Sequence, residues 1–220
     1  MSDVFREVDE EVRHEQLLKL WRKYGNYVIG AALGVVLGVA GSVGWKEYSV
    51  DKRESDGTAF SVAMTHLTED RPAAAAASFA QLAEDAGAGY AALARLREAQ
   101  ALNAAGDSAG AVAVLERLAD DGGADQTLRD LAAFLAVLYQ MDTAAPGELD
   151  ARLAPLMTEA SPWRASAREL AGLLAFRRGE MAAARDIFTG LVDDGTAPRE
   201  VRGRAAEFLA ILGGRPGGAG

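Results

Sequence analysis

The chain has 220 residues, a formal net charge of −9 at pH 7 and no cysteine. The missing cysteines exclude disulfides and thiol nucleophiles, and the acidic charge argues against sequence-independent binding of nucleic acid. A mean hydropathy of −0.01 excludes a polytopic membrane protein. Alanine supplies 46 residues and proline only six, a composition that predicts an all-α fold because alanine has the highest helix propensity.

The first predicted element is an amphipathic segment at 1–23. Val4, Phe5, Val8 and Val12 recur there at helical spacing. A helix of this kind lies on a membrane face or docks on a partner.

The second element, from Tyr24 to Trp45, contains no charged residue. At about 1.5 Å rise per residue, a helix of this length crosses the roughly 30 Å hydrocarbon core of a bilayer. Lysine and arginine flank it on both sides, as do tyrosine and tryptophan, which favour the membrane interface. We therefore predict a single transmembrane helix at 24–45. The alternatives are a buried core helix and a signal peptide cleaved near Gly38-Val39-Ala40, although the acid-rich residues ahead of the segment disfavour the latter.

Two further features of the segment concern orientation and packing. Five lysines and arginines precede it and three follow it, which favours a cytoplasmic N-terminus with the remaining chain across the membrane. Gly30, Gly34 and Gly38 are spaced four residues apart, so they would lie on one helix face that admits a close partner helix. That partner would be a second copy or another membrane protein. The alternative is that their spacing is a chance result of the alanine- and glycine-rich composition of the chain.

After a juxtamembrane linker at 46–56, one packing pattern recurs. It is a small or apolar residue, a large apolar residue four positions later, and a leucine three further. The sets are Ala75, Phe79 and Leu82; Ala111, Leu115 and Leu118; Leu149, Leu153 and Leu156; and Ala184, Phe188 and Leu191. The short first residue lets two helices pack closely, and the large residue fills the groove beside it.

Each set belongs to the second helix of a predicted pair. First helices are predicted at 57–69, 89–105, 126–141 and 163–178, with a last helix at 199–212. Gly106-Asp107 and Gly179-Glu180 suit the turns between paired helices. Helix pairs at this spacing predict a tetratricopeptide-like solenoid over 57–212, with a groove able to hold a peptide. An irregular helical bundle is the alternative. The glycine-rich tail, 213–220, is predicted to be disordered.

The order of these parts resembles the YfgM family of ancillary subunits of the bacterial Sec translocon, which are tetratricopeptide repeat-like inner-membrane proteins. The residues that carry the resemblance are LWRKYGN at 20–26, GVVLGVAGSVGW at 34–45 and YAALARLREAQ at 90–100, followed by the Gly106-Asp107 turn. The resemblance implies a cytoplasmic N-terminus and a periplasmic repeat domain. It also implies association with SecYEG and a PpiD-like periplasmic chaperone, around secreted proteins that leave the channel.

The sequence offers little material for catalysis, so we predict a binding protein without cofactor, metal ion or catalytic residues. His14 and His66 have no second ligand in a recognisable metal spacing. Asp120-Asp121 and Asp193-Asp194 follow equivalent helices and are interpreted as solvated loop acids, and Trp163 as either a contact or a core residue. The alternative functions are a scaffold for envelope assembly or cell division, and an enzyme with an unfamiliar site on the groove.

Overall fold

The computed structural model describes the backbone of residues 3–213, and their side chains except at 3–20, 25, 28, 31 and 32. This part contains helices and no strands, so the predicted all-α fold is confirmed. The predicted tail at 214–220 lies outside the described residues. In chain order the helices are α1 (Asp3–Thr68), α2 (Pro72–Asp85), α3 (Ala88–Ala104), α4 (Ser108–Ala119), α5 (Gln126–Gln140), α6 (Pro146–Leu153), a 3-10 turn (Ala154–Met157), α7 (Arg164–Arg177), α8 (Met181–Asp193) and α9 (Arg199–Ile211).

The chain divides into two units, Met1–Arg53 and Glu54–Gly220. The described part of the first unit is the stretch of α1 up to Arg53, and the segment 46–56, predicted as a linker, is helical within α1. Its large apolar side chains from Trp21 to Val50 are 47–76% exposed. Among the residues that the structure describes, no helix combines the length and the apolarity needed to cross a bilayer.

The second unit is a series of helical hairpins. We call α3, α5, α7, α9 and the end of α1 from residue 54 the A helices, and α2, α4, α6 and α8 the B helices. Most contacts join consecutive helices, and A helices also contact the next A helix, as α3 does α5 and α7 does α9. Contact restricted to neighbours is the property of a solenoid, so the predicted tetratricopeptide-like repeats are confirmed.

The core runs along the hairpins as four clusters of buried alanine, leucine, valine and phenylalanine. The repeat-packing residues of the B helices all lie in it: Ala75, Phe79, Leu82, Ala111, Leu115, Leu118, Ala184, Phe188 and Leu191 are buried. Leu149, Leu153 and Leu156 of the remaining set are buried too. Burying each of these leucine and phenylalanine side chains contributes roughly 1.5–3 kcal/mol, which stabilises the packing of the hairpins.

The turns between paired helices share one backbone geometry. Gly106 and Gly179 adopt positive φ angles of 89° and 78° directly after α3 and α7. At each turn, the amide of the residue after the glycine donates a hydrogen bond to the carbonyl five residues before it. The Asp107 amide donates to the Leu102 carbonyl, and the Glu180 amide donates to the Ala175 carbonyl. This hydrogen bond closes a Schellman motif, which favours glycine at its left-handed position. Asp107 also accepts a hydrogen bond from the Gly110 amide at 2.8 Å and so caps α4.

The turn after α1 has the same geometry without a glycine. Asp70 lies at φ 55°, and the Arg71 amide donates to the His66 carbonyl at 2.8 Å. The left-handed conformation is strained for a residue that carries a Cβ atom. We therefore expect Asp70→Gly to raise the free energy of unfolding by about 0.5–1 kcal/mol, because the relieved strain exceeds the added freedom of the unfolded chain.

Urea denaturation of the full chain in a mild non-ionic detergent measures the effect. Glu69→Gly, one residue earlier in the same turn, is the matched control and should lower stability, because it adds backbone freedom without relieving strain. A destabilised Asp70→Gly variant would contradict the shared turn geometry.

Candidate interaction surface

One exposed face of the A helices has the same register in successive units. On α3 it comprises Leu93, Arg97 and Gln100, which are exposed, and Arg97 donates to Gln100 at 2.7 Å. The positions one unit later on α5 are Leu131, Leu135 and Leu138. Residues at these spacings lie on one side of a helix. We call these six residues the A-face.

The A-face is most apolar on α5, the A helix of the third hairpin, which α5 forms with α6. Leu138 is 40% exposed and Leu93 is 41% exposed, while Leu131 and Leu135 are half-buried. Partly exposed leucines on a helical surface leave apolar area that a partner can cover. The signal for this surface is present in the sequence as leucines at i, i+4 and i+7 on α5, yet our sequence analysis did not single them out.

In two of the hairpins, an ion pair joins the A helix to the loop that follows its B helix. Arg95 of α3 lies 2.6 Å from Asp121, and Arg168 of α7 lies 3.3 Å from Asp194. The two arginines are 73 residues apart, as are the two aspartates, so the contact is the same in alternate units. Asp121 and Asp194 thus lie in loops as interpreted from the sequence, and each also forms an ion pair that the sequence analysis did not include. Spacing alone could have indicated the pairing, since 26 residues separate arginine from aspartate in both cases.

Both carboxylates also hold the loop backbone. Asp121 accepts a hydrogen bond from the Gly123 amide at 2.9 Å, and Asp194 accepts from the amide and hydroxyl of Thr196 at 3.0 and 2.6 Å. The Gly123 amide and then Arg95 lower the pKa of Asp121, and the Thr196 hydroxyl and amide lower the pKa of Asp194. Each bond favours the ionised carboxylate, so each holds its loop more strongly while the carboxylate is charged.

Acid should therefore weaken the second unit through these two groups. Because their pKa values are lowered by folding, their contribution to stability is present above the ordinary aspartate pKa of about 3.9 and is lost as the pH falls below it. We expect the double variant Asp121→Asn with Asp194→Asn to lose less stability between pH 6 and pH 3 than the unaltered chain. Urea midpoints at several pH values measure this, with Asp142→Asn in an exposed loop as the control. Parallel pH profiles for the double variant and the unaltered chain would contradict the assignment.

Trp163 packs between two hairpins. Its ring stacks on Phe134 of α5 with centroids 6.0 Å apart, and its Nε1 donates to the Thr127 carbonyl at 3.4 Å. The ring is half-buried. Of the two interpretations that the sequence left open, the structure favours packing within the chain.

The remaining predicted residues whose side chains are described show no chemical site, and the side chain of His14 lies outside the described part of the chain. Gly30, Gly34 and Gly38 are exposed, and a Cβ atom built on any of them would have no heavy atom within 4 Å. Within the described part of the chain, no group of three histidine or acidic side chains could hold a metal ion.

A family model described as a tetratricopeptide repeat-like domain matches residues 19–203. No curated protein and no solved structure matches the chain.

Proposed function

Because the chain belongs to the tetratricopeptide repeat-like domain family, we propose that it is a membrane-anchored module that binds other proteins through its A-face. The observation that carries the proposal is that one A-face leucine on each of two successive A helices, Leu93 of α3 and Leu138 of α5, is about two-fifths exposed, in a fold typical of protein interaction. A leucine-lined surface of this kind suits an extended apolar peptide or the apolar side of a partner helix. A tether would raise the local concentration of the module near a membrane partner.

The proposed anchor is the part of α1 at 24–45. Its support is that the sequence from 24 to 45 contains no charged residue. Within this segment, the side chains of Gly25, Val28, Ala31 and Ala32 lie outside the described part of the structure. The family match begins at residue 19 and includes the whole segment. Five basic residues ahead of the segment and three after it favour an N-terminus in the cytoplasm. The repeats would then lie in the periplasm of a bacterial inner membrane.

The proposed partners follow from the resemblance to ancillary Sec translocon subunits. They are SecYEG and a PpiD-like periplasmic chaperone, and the module would assist secreted proteins as they leave the channel. Homo-association through Gly30, Gly34 and Gly38 is a further proposed contact within the membrane. A scaffold for envelope assembly or cell division would use the same anchor and the same A-face with other partners, so partner identity separates the two functions.

The A-face is tested by co-purification of the tagged full chain in mild non-ionic detergent, with partners identified by mass spectrometry. We expect translocon and chaperone components to co-elute, and the double variant Leu93→Asp with Leu138→Asp to lose them. Ile211→Asp is the matched control, since Ile211 is 71% exposed on α9 outside the A-face. Cell-division or outer-membrane assembly proteins in place of translocon components would overturn the partner assignment. Equal retention by all variants would overturn the A-face.

The anchor has its own test. We expect the chain to stay in membranes after salt and alkaline washing, and the repeats to resist protease in sealed inverted vesicles. Leu37→Arg places a charge at the centre of the segment and should cost about 2.5–3.5 kcal/mol of insertion free energy, so it should reduce the retained fraction. Val50→Arg, beyond the segment, is the control. Release of the unaltered chain by the washes would refute the anchor.

A further inference from the structure

The end of α1 exposes a face made of β-branched residues. It comprises Thr58, Val62 and Thr65, which are all exposed, and 57% of the Val62 side chain is accessible. Spacings of four and three residues place the three side chains on one side of the helix. We call these three residues the α1 face.

The next A helix buries the same face under the preceding B helix. The repeat-packing residues give the register, because Ala111 lies 36 residues after Ala75 and the α1 face therefore corresponds to Ala94, Glu98 and Ala101 of α3. The two alanines are fully buried in one cluster with side chains of α2.

The third and fourth hairpins repeat this contact. At the equivalent positions, Ala132 and Ala136 of α5 are buried in a cluster with α4, and Ala167, Ala171 and Leu174 of α7 are buried in a cluster with α6. The α1 face is thus a contact surface that three further A helices use, and on α1 none of the described helices covers it.

The described chain has no B helix to spare for this position. The residues ahead of the α1 face belong to α1 itself, which is one helix over Asp3–Thr68. Each of α2, α4, α6 and α8 already packs between two A helices. A second copy of the protein would have its B helices engaged in the same way. The missing helix must therefore belong to a different protein.

The α1 face is suited to apolar packing although two of its residues are threonines. The Thr58 hydroxyl donates to the Glu54 carbonyl at 2.9 Å, and the Thr65 hydroxyl donates to the Ser61 carbonyl at 3.1 Å. Both hydroxyls are satisfied by their own helix. A helix that covers them leaves no unpaired donor, and Val62 supplies apolar area at the centre of the face.

The sequence around the α1 face is uncharged. Residues 57–68 contain no aspartate, glutamate, lysine or arginine, although 25% of the whole chain is charged. The solvent side of a surface helix is normally charged or strongly polar. About three turns without charge therefore favour a surface that another apolar element covers.

We propose that the α1 face binds an amphipathic helix of a partner protein, which packs on α1 as the B helices pack on α3, α5 and α7. The partner helix presents the spacing that the B helices share, a small residue followed by large apolar residues four and seven positions later. This contact is separate from the A-face. It adds a second partner site to the proposed function and does not depend on it.

The test is disulfide tethering, which is site-specific because the chain contains no cysteine. Ser55 is exposed three residues before Thr58 on the same side of α1, so the full chain with Ser55→Cys is used in non-ionic detergent and a thiol buffer. The probe is a peptide with the sequence of residues 107–120, which include α4, and an added terminal cysteine. We expect it to form the mixed disulfide about tenfold more completely than the same peptide with Leu115→Ser and Leu118→Ser, because these leucines supply the apolar contact.

Two substitutions in the Ser55→Cys chain locate the contact. Val62→Asp should lower the yield of mixed disulfide about tenfold or more, because the contact would bury an unpaired charge. Ser61→Asp is the matched control, since it adds the same charge about 100° around the helix from Val62 and should change the yield about twofold or less. Circular dichroism checks that both variants are folded. Equal losses from the two substitutions, or equal tethering of the two peptides, would overturn the proposal.

A second copy as the occupant has its own readout. We expect sedimentation equilibrium of the full chain to give the same oligomeric state with and without Val62→Asp. A dimer that Val62→Asp dissociates would overturn the partner helix in favour of a second copy. The A-face variant Leu93→Asp with Leu138→Asp, placed in the Ser55→Cys chain, should tether the peptide normally. Failure of the A-face and failure of the α1 face are therefore distinguishable.

Discussion

Replacing Phe188 by alanine is expected to lower the free energy of unfolding by about 3–5 kcal/mol, a cost typical of removing a buried aromatic ring. The Phe188 ring is fully buried in α8 and stacks on Phe208 of α9 with centroids 5.1 Å apart. It also fills the space above Gly172 of α7, where an added Cβ atom would lie 2.8 Å from the ring. The ring therefore holds three helices together, and its removal leaves a cavity that fixed backbones cannot close.

Phe176→Ala is the matched control, because Phe176 lies at the end of α7 and is 39% exposed. We expect it to cost less than about 1 kcal/mol, since much less area returns to water. Urea denaturation of the full chain in non-ionic detergent, followed by circular dichroism, compares the two variants. Equal losses would mean that Phe188 is not the packing centre of its hairpin.

The packing residues could be predicted because helical hairpins that pack alike need side chains of the same size at regularly spaced positions. A short side chain and a large one, four positions apart, must recur wherever two helices approach in the same way. Ala75 with Phe79, and Ala184 with Phe188, are far apart in sequence and occupy equivalent buried positions. The helix boundaries followed too, within two residues for α3, α5, α7 and α9, because capping and turn residues delimit them.

In the third hairpin, the spacing of packing residues predicts burial but not the backbone conformation. Leu149, Leu153 and Leu156 keep the expected spacing and are buried, yet α6 ends at Leu153 and the chain continues as a 3-10 turn. Pro155 accounts for the change, since proline lacks the amide that would continue the helix. The leucine spacing predicted which side of this segment is buried. It could not predict the 3-10 turn, because Pro155 is not one of the spaced residues.

Contacts between units were not predictable in the same way. Arg152 of α6 pairs with Glu116 of α4, one hairpin earlier, and no repeated pattern marks either residue. Asp70 occupies the left-handed position that glycine holds in the equivalent turns. Because the sequence has no glycine there, only the φ angle reveals this turn. Hydropathy reports burial and period, but it carries no information about which opposite charges meet.

A pair of this kind gives the second large expected effect. Arg204 of α9 forms two hydrogen bonds of 2.6 Å with Glu169 of α7, which is 7% exposed. Two parallel bonds between a guanidinium and a carboxylate are among the stronger polar contacts in proteins. Arg204→Ala would leave the Glu169 carboxylate buried without its partner. Breaking a fully buried pair costs about 3–5 kcal/mol, and because Arg204 is itself half-exposed we expect about 2 kcal/mol here.

Hydrogen exchange of the full chain measures the loss, as reduced protection of α7 and α9 relative to α3. Arg199→Ala, at the exposed start of α9, is the matched control and should change stability by less than about 0.5 kcal/mol. The double variant Glu169→Leu with Arg204→Leu removes both charges and should recover most of the stability, because no buried charge is left without a partner. If Arg204→Ala were no worse than Arg199→Ala, the pair would not hold the last two A helices together. If the double variant were as unstable as Arg204→Ala, the cost would lie in lost packing and not in the uncompensated Glu169 charge.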